Sequence, residues 1–317
     1  MQMYAIGIDI GGTKIAGGLV SPDGTVSELQ RVPSPATSAA EMEDAIVDMA
    51  ISLMQDRDIS GIGIAAAGFI DSAGSTVFYA PNISWRSEPL RDKLETRISA
   101  HVVIENDANA AGWAEYRFGA GRGFSHMTML TVGTGVGGAI VLDGKLFRGG
   151  FGAAGELGHV RVVDDGLLCG CGARGCLEQY ASGRALLRFA SERASTLPAN
   201  APLRVALESD GSIDSLVLRT LLEAGDIDAR AALTDLAVWL GRGCASIAAV
   251  LDPEIFVIGG GVAAAGSALL DPTRESFERE MSARGFHPEP VFAIAELVND
   301  AGVVGAADLA RERSRLD

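Results

Sequence analysis

One pattern occurs twice in this chain. A mostly apolar strand runs into a glycine-rich loop, a second strand follows, and an Asp-Gly pair turns the chain back. The first copy is YAIGIDIGGTKIAGGLVSPDGTV, beginning at Tyr4, and the second is MTMLTVGTGVGGAIVLDGKL, beginning at Met127. Asp-Gly between two such runs is a hairpin signal, because the tight turn needs positive φ at its centre. Two halves that each open on this unit predict a duplicated architecture with a cleft between them.

The rest of the chain alternates strand and helix. Apolar Met42, Ile46, Met49 and Leu53 recur at helical spacing and predict a helix over 39–57. Strands are expected at 61–67, 101–105, 254–258 and 291–295. Helices are expected at 88–98, 108–118, 213–222, 229–251, around 271–284 and at 303–312, and 197–202 reads as a connecting loop. The fold class is therefore α/β.

The glycine loops are the first chemical feature. Asp9-Ile10-Gly11-Gly12-Thr13-Lys14 joins two strands. Glycines let the backbone approach a ligand closely, and successive N–H groups make an anion nest. Thr13 adds a hydroxyl, Lys14 adds a charge, and Asp9 can hold a magnesium ion through water. Gly133-Thr134-Gly135-Val136-Gly137-Gly138 has the same character. Both loops are equally compatible with glycine-rich hairpins that only let sheets pack. The second contains G-x-G-x-x-G but opens a strand, so it fails the dinucleotide context, and neither loop is a Walker A motif. Gly259-Gly260-Gly261 follows a strand and suits either an adenosine group or tight packing.

Composition narrows the partners. The formal net charge is −15, which disfavours nucleic acid and anionic lipid while leaving local phosphate binding by backbone amides open. The apolar region 245–270 is interrupted by Asp252, Pro253 and Glu254, so no membrane span is expected. The N-terminal residues read directly as a strand and not as a leader, and the expectation is a cytoplasmic protein.

Glu105-Asn106-Asp107-Ala108-Asn109 joins a strand to a helix. Functional side chains gather at the carboxyl ends of strands in α/β sheets. Phosphoryl transfer to an alcohol needs a base for the hydroxyl proton, and Asp107 is the candidate. A simple helix cap is the competing reading for the same residue.

Of four cysteines, Cys169, Cys171 and Cys176 lie within eight residues, and His159 precedes them. One histidine and three cysteines make a tetrahedral zinc set, and a closed site of this kind is structural. Buried free thiols beside a chance histidine are the alternative. Cys244, in an apolar helical run, reads as a small hydrophobe. Glu156 and Glu178 flank the cluster. A pinned loop would present them with His159 to sugar hydroxyls, and otherwise each is a solvated charge.

Together these motifs resemble the ROK family of sugar kinases over essentially the whole length, and most nearly its bacterial ATP-dependent glucokinases. The resemblance rests on Asp9–Lys14, Asn106-Asp107, Gly133–Gly138, Gly155-Glu156-Leu157-Gly158-His159, and Cys169-Gly170-Cys171 with Cys176-Leu177-Glu178. It implies an actin-like, RNase H-like duplicated fold closing around ATP and sugar. The implied domains are 1–118 with 300–317, and 119–299. It implies that Asp107 is the base acting on the 6-hydroxyl. Sugar contacts would come from Gly68, Asn82, Asn106, Asp107, Glu156, His159 and Glu178. Nucleotide and Mg2+ contacts would come from Asp9, Gly11, Gly12, Thr13, Lys14, Gly133, Thr134, Gly135, Gly137, Gly260 and Gly261. Zn2+ would be held by His159, Cys169, Cys171 and Cys176, with the second ring nitrogen of His159 left for the sugar. A homodimer formed through the larger domain and a place in carbohydrate metabolism are implied too. Ala67 stands where family members often have proline. A kinase for mannose, N-acetylglucosamine, N-acetylmannosamine or fructose is the nearest alternative, and polyphosphate is an alternative donor. A sugar-sensing regulator of the family would carry a helix-turn-helix before the first loop. Only eight residues precede Asp9, so an enzyme is expected.

Overall fold

The computed structural model describes residues 3–81 and 83–314. In chain order, β1 (Tyr4–Ile10), β2 (Lys14–Val20) and β3 (Val26–Pro33) lead to α1 (Ala39–Met54) and β4 (Ile59–Ala66). Three short strands follow, β5 (Phe69–Ile70), β6 (Val77–Tyr79) and β7 (Arg86–Glu88), then α2 (Leu90–Glu95), β8 (Val102–Asn106) and α3 (Asp107–Phe118). The second half runs β9 (Met127–Val132), β10 (Val136–Leu142), β11 (Lys145–Leu146), α4 (Glu178–Ala181), α5 (Gly183–Ala194), α6 (Pro202–Asp210), α7 (Ser215–Glu223) and α8 (Ile227–Leu251). It ends with β12 (Ile255–Gly259), α9 (Ser267–Glu280), β13 (Val291–Ile294) and α10 (Ala301–Arg313).

Two five-stranded sheets have matching orders, β3-β2-β1-β4-β8 and β11-β10-β9-β12-β13. The repeated hairpin thus supplies the same three positions in each sheet. In the first, β1 is antiparallel to β2 and parallel to β4, and β4 is parallel to β8. By contact density the chain divides into one unit of 1–128, 139–155 and 296–317, and another of 129–138 and 156–295.

In the first unit, alternation along β1 sorts its two faces. Ile6, Ile8 and Ile10 join Ile62, Ile64 and the α1 residues Met42, Ile46 and Leu53 in one core. Ala5 on the opposite face joins Val303, Val304 and Ala307 of α10. That face is lined with small residues because α10 lies almost on the sheet. A Cβ on Gly7 would stand 1.9 Å from the Val303 carbonyl oxygen, and one on Gly63 would stand 1.8 Å from that of Ala306. Asp9 is the last residue of this face, and a Cβ on Gly302 would come within 2.7 Å of its carboxylate.

Several boundaries differ from expectation. The helix predicted to reach residue 57 ends at Met54, where Gln55 takes a positive φ. The helix predicted over 88–98 covers only Leu90–Glu95, because Arg86–Glu88 pairs with β6. Strands of two or three residues are too short to show a period, so the β5-β6-β7 sheet left no mark in the sequence. Helices α5 and α6 were likewise not anticipated. Helix α8 is long and apolar enough, by length and composition alone, to cross a membrane. Its Asp235 pairs with Arg193 of α5 at 2.7 Å and its Arg242 with Glu280 of α9 at 3.1 Å. Its Leu233, Leu236, Ala237 and Leu240 are buried in the second unit.

Candidate active site

In the first unit the carboxyl ends of β1, β4 and β8 lie side by side. Asp9 is paired in register with Ala65, and Ala65 with Glu105; Ala66 is paired with Asn106. Asp107 follows as the first residue of α3. The cap of that helix is Asn106, whose Oδ1 accepts the Asn109 N–H at 3.0 Å. Its Nδ2 donates to the Gly68 carbonyl at 3.0 Å. Capping therefore does not account for Asp107, whose Oδ1 accepts only the adjacent Ala108 N–H at 2.9 Å among the described side-chain bonds.

Burial raises the pKa of the Asp107 carboxyl. Burial also pushes Asp9 up to about 6, helped by the negative charge of Asp107 and opposed by Lys14. Two carboxyls that feel each other's charge are oxygen donors suited to a hard cation, which would relieve their repulsion. The loop after β1 is closed by the Gly11 N–H donating to the Lys14 carbonyl at 3.0 Å, so this amide is not available to an anion. Gly12, Thr13 and Lys14 are exposed at the tip. Gly68 has φ +150, and a Cβ there would stand 2.4 Å from the Tyr79 carbonyl oxygen, so the β4–β5 turn requires glycine.

In the second unit, the Gly133 N–H donates to Gly135 O at 2.9 Å and Gly133 O accepts the Gly183 N–H at 2.7 Å. Thr134 is exposed at the tip. The Val136 N–H donates to Glu178 Oε2 at 3.1 Å. A Cβ on Gly135 would stand 2.4 Å from that same oxygen, so the glycine at 135 makes room for a carboxylate. Glu178 Oε1 lies 3.9 Å from Cys169 Sγ and 3.2 Å from Arg184. Gly137 lies within β10, beyond the loop tip. Gly260, at φ +84, allows the chain after β12 to pass close to Val132, and Gly261 borders open space.

The ligand atoms of His159, Cys169, Cys171 and Cys176 all lie within 4.8 Å of one another. Cys171 and Cys176 sulfurs are 3.7 Å apart, and Cys169 Sγ is 3.7 Å from His159 Nδ1. A tetrahedron built on zinc–sulfur bonds of about 2.3 Å has edges of about 3.8 Å, so this donor set fits the ion. Backbone pairing shapes the loop: Arg161 bridges to Cys176 and Leu168 to Arg174. At Gly175, φ is +76 and a Cβ would stand 1.7 Å from Val163 O. His159 Nε2, on the other side of the ring, lies 3.7 Å from Glu156 Oε2. The histidine thus faces sulfur through one nitrogen and a carboxylate through the other, as separate roles for its two nitrogens require.

The geometry brings Asp9, Lys14, Gly68, Asn106 and Asp107 together in one unit. In the other it brings Glu156, His159, Glu178, the cysteines and the Gly133 loop together. Asn82 lies outside the described residues. Two surface grooves, one beside Val32, Pro33 and Met49 and one beside Phe277, Met281 and His287, include none of these residues. Sequence reasoning missed Glu105, Asn109, Arg148 and Arg184. A charged residue ending the apolar run Val102–Ile104 was a signal for Glu105, whereas Arg148 carries no local signal.

The model of the ROK family matches residues 5–313. A glucokinase of Streptomyces coelicolor is 46% identical over 310 residues, covering 97% of each chain. Among solved structures, a ROK family glucokinase from Streptomyces griseus in complex with glucose and AMPPNP is similar with a TM-score of 0.85 and 47% identity, covering 98% of this chain and 99% of that one. A ROK hexokinase from Thermus thermophilus is similar with a TM-score of 0.80 and 33% identity, covering 99% of this chain and 100% of the other.

Proposed function

The chain belongs to the ROK family, and from that premise we propose that it is an ATP-dependent glucokinase that phosphorylates the 6-hydroxyl of glucose. The similarity to glucokinases along 97% of the chain supports the substrate class. The observation that carries the chemistry is the half-buried Asp107 beside Asn106 at the end of β8, with its pKa raised by desolvation. A carboxylate so placed is a stronger base than one in water. The sugar O6 attacks the γ-phosphorus as its proton passes to Asp107. The new O6–P bond forms while the bond from phosphorus to the β,γ-bridging oxygen breaks, and ADP leaves with that electron pair.

Asn106, Gly68, Glu156, His159 and Glu178 hold and orient the sugar hydroxyls. Asn82 belongs to the same set. Gly12, Thr13 and Lys14 bind phosphate, Thr134 with its flanking glycines does likewise, and Gly260 and Gly261 border the nucleoside. Asp9, through water, would hold the magnesium ion, whose chemistry is to neutralise the β- and γ-phosphate charge. His159, Cys169, Cys171 and Cys176 would hold zinc, which supplies a rigid cross-link in the loop bearing His159 and leading into Glu178. Functional domains at 1–118 with 300–317 and at 119–299, a homodimer and a cytoplasmic location belong to the same reading.

A coupled assay of ADP release over glucose, mannose, N-acetylglucosamine, N-acetylmannosamine and fructose tests it, with ATP and polyphosphate compared as donors. Glucose with ATP is expected to have the highest kcat/KM. Asp107→Ala is expected to lower kcat by about 10²–10⁴-fold with the fold intact. A higher kcat/KM for another sugar removes glucose, and near-normal turnover in the variant removes Asp107 as the base.

A further inference from the structure

Next to the reacting carboxylate lies an ion pair, between a buried glutamate and a half-buried arginine, that the reaction itself does not use. Glu105, the residue before Asn106, is 4% exposed. Its Oε2 accepts from Arg148 Nε at 2.6 Å. Its Oε1 accepts from the Asn106 backbone N–H and from Asn109 Nδ2, each at 3.0 Å. One carboxylate thus gathers three donors, two of them from the residues flanking Asp107-Ala108. Asn106 is further bound to the Asn109 N–H and to Gly68 O. The turn carrying Asp107 is held at both ends.

Arg148 is not a loose surface side chain. The Ala154 N–H donates to its carbonyl at 3.1 Å and closes the segment 148–154 into a loop. Gly152 seats that loop against the backbone of Ile70 and Asp71, where a Cβ would stand 2.1 Å from Ile70 O. The guanidinium is presented to Glu105 by a fixed support, and its charge compensates a carboxylate that is costly to bury alone.

We propose that Arg148 and Glu105 are positioning residues. Arg148 holds Glu105, and Glu105 fixes the Asn106 peptide and the Asn109 amide so that Asp107 stands at the orientation its reaction requires. The pair touches neither sugar nor nucleotide and acts through the turn between them. Orientation of a reacting group sets kcat more than binding. The inference rests on the reading of Asp107 as the base.

The test uses Glu105→Gln, Arg148→Met, Arg148→Lys and the double variant Glu105→Gln with Arg148→Met. Steady-state kinetics are run with glucose and ATP well below each variant's melting temperature. Each of the first two changes is expected to lower kcat about tenfold or more while KM for glucose moves less than about threefold. The double variant is expected to be no slower than the slower single one, since residues of one unit do not act additively. Arg148→Lys keeps the charge and is expected to recover most of kcat. Amide hydrogen exchange at residues 106–109, which needs no substrate, is expected to quicken in Glu105→Gln and Arg148→Met while the sheet stays protected. If Arg148→Met does not fold, Glu105→Gln and Arg148→Lys carry the test. Unchanged exchange, kcat within twofold of the parent, or losses that multiply in the double variant would each overturn the positioning role. Retained turnover in Asp107→Ala would instead overturn the base, so the two failures are distinguishable.

Discussion

Asp107 is a carboxyl whose burial works against its ionised form. Its folded pKa lies above its unfolded one, so the native state takes up a proton more readily. Ionising it costs stability as pH rises through the folded pKa, and the cost is absent below the unfolded pKa. Asp107→Asn is therefore expected to unfold at a higher denaturant concentration than the parent at pH 7.5. The gap closes as pH falls below the ordinary carboxylate range, and urea titrations across pH read it directly. Activity follows the opposite order. In the proposed mechanism Asp107 acts in its ionised form, so kcat/KM of the parent is expected to fall with decreasing pH along a limb whose midpoint exceeds the usual carboxylate value. A site that gives up stability for a stronger base is a common compromise. A parent at least as stable as the Asn variant at pH 7.5, or a gap that widens as pH falls, would contradict this sign.

At the scale of elements, α10 decides where the acidic end of β1 stands. Its Gly305 lies so close to α3 that a Cβ would stand 1.8 Å from Ala110 O, which is backbone and has little room to yield. Gly305→Ala is expected to cost at least about 1–3 kcal/mol, the usual penalty for overpacking, measured by urea unfolding. The contact is reinforced by Asp308, which accepts from Trp113 Nε1 at 3.0 Å and from Arg311 at 2.7 Å. Between β11 and α4 lies the hairpin bearing the cysteines, and Leu167 and Leu168 at its edge are exposed. Cys171 is exposed as well, so replacing it removes one proposed ligand and little packing. Cys171→Ser is expected to lower bound zinc below one per chain by elemental analysis and to weaken glucose binding by calorimetry. One zinc per chain with unchanged affinity would show that the loop needs no such cross-link.

For the whole molecule, folding and binding are linked through ligands that only the native chain can hold. At a concentration about 100 times its dissociation constant, one ligand adds about 2.7 kcal/mol. Glucose together with a non-hydrolysable ATP analogue is expected to raise the melting temperature by several degrees, and polyanions without a nucleoside by less. A net charge of −15 works against nonspecific binding of nucleic acid as a source of any such shift. The duplicated hairpin, the α/β class and the loops bearing Asp9, Asn106-Asp107 and the cysteines were legible because each is a run of adjacent residues with its own period or turn chemistry. The short strands β5, β6 and β7 were not, since two or three residues carry no period.

What the sequence by itself determined is therefore local: which strands end in carboxylates, which turns need glycine, and which four side chains can converge on a metal. Only the tertiary structure decided that Gly135 clears space for Glu178, that Gly302 clears space for Asp9, and that Arg148 neutralises Glu105 from 43 residues away. Pattern and propensity act over one turn or one strand. Partners this distant are selected by packing, and packing exists only when the whole chain has folded.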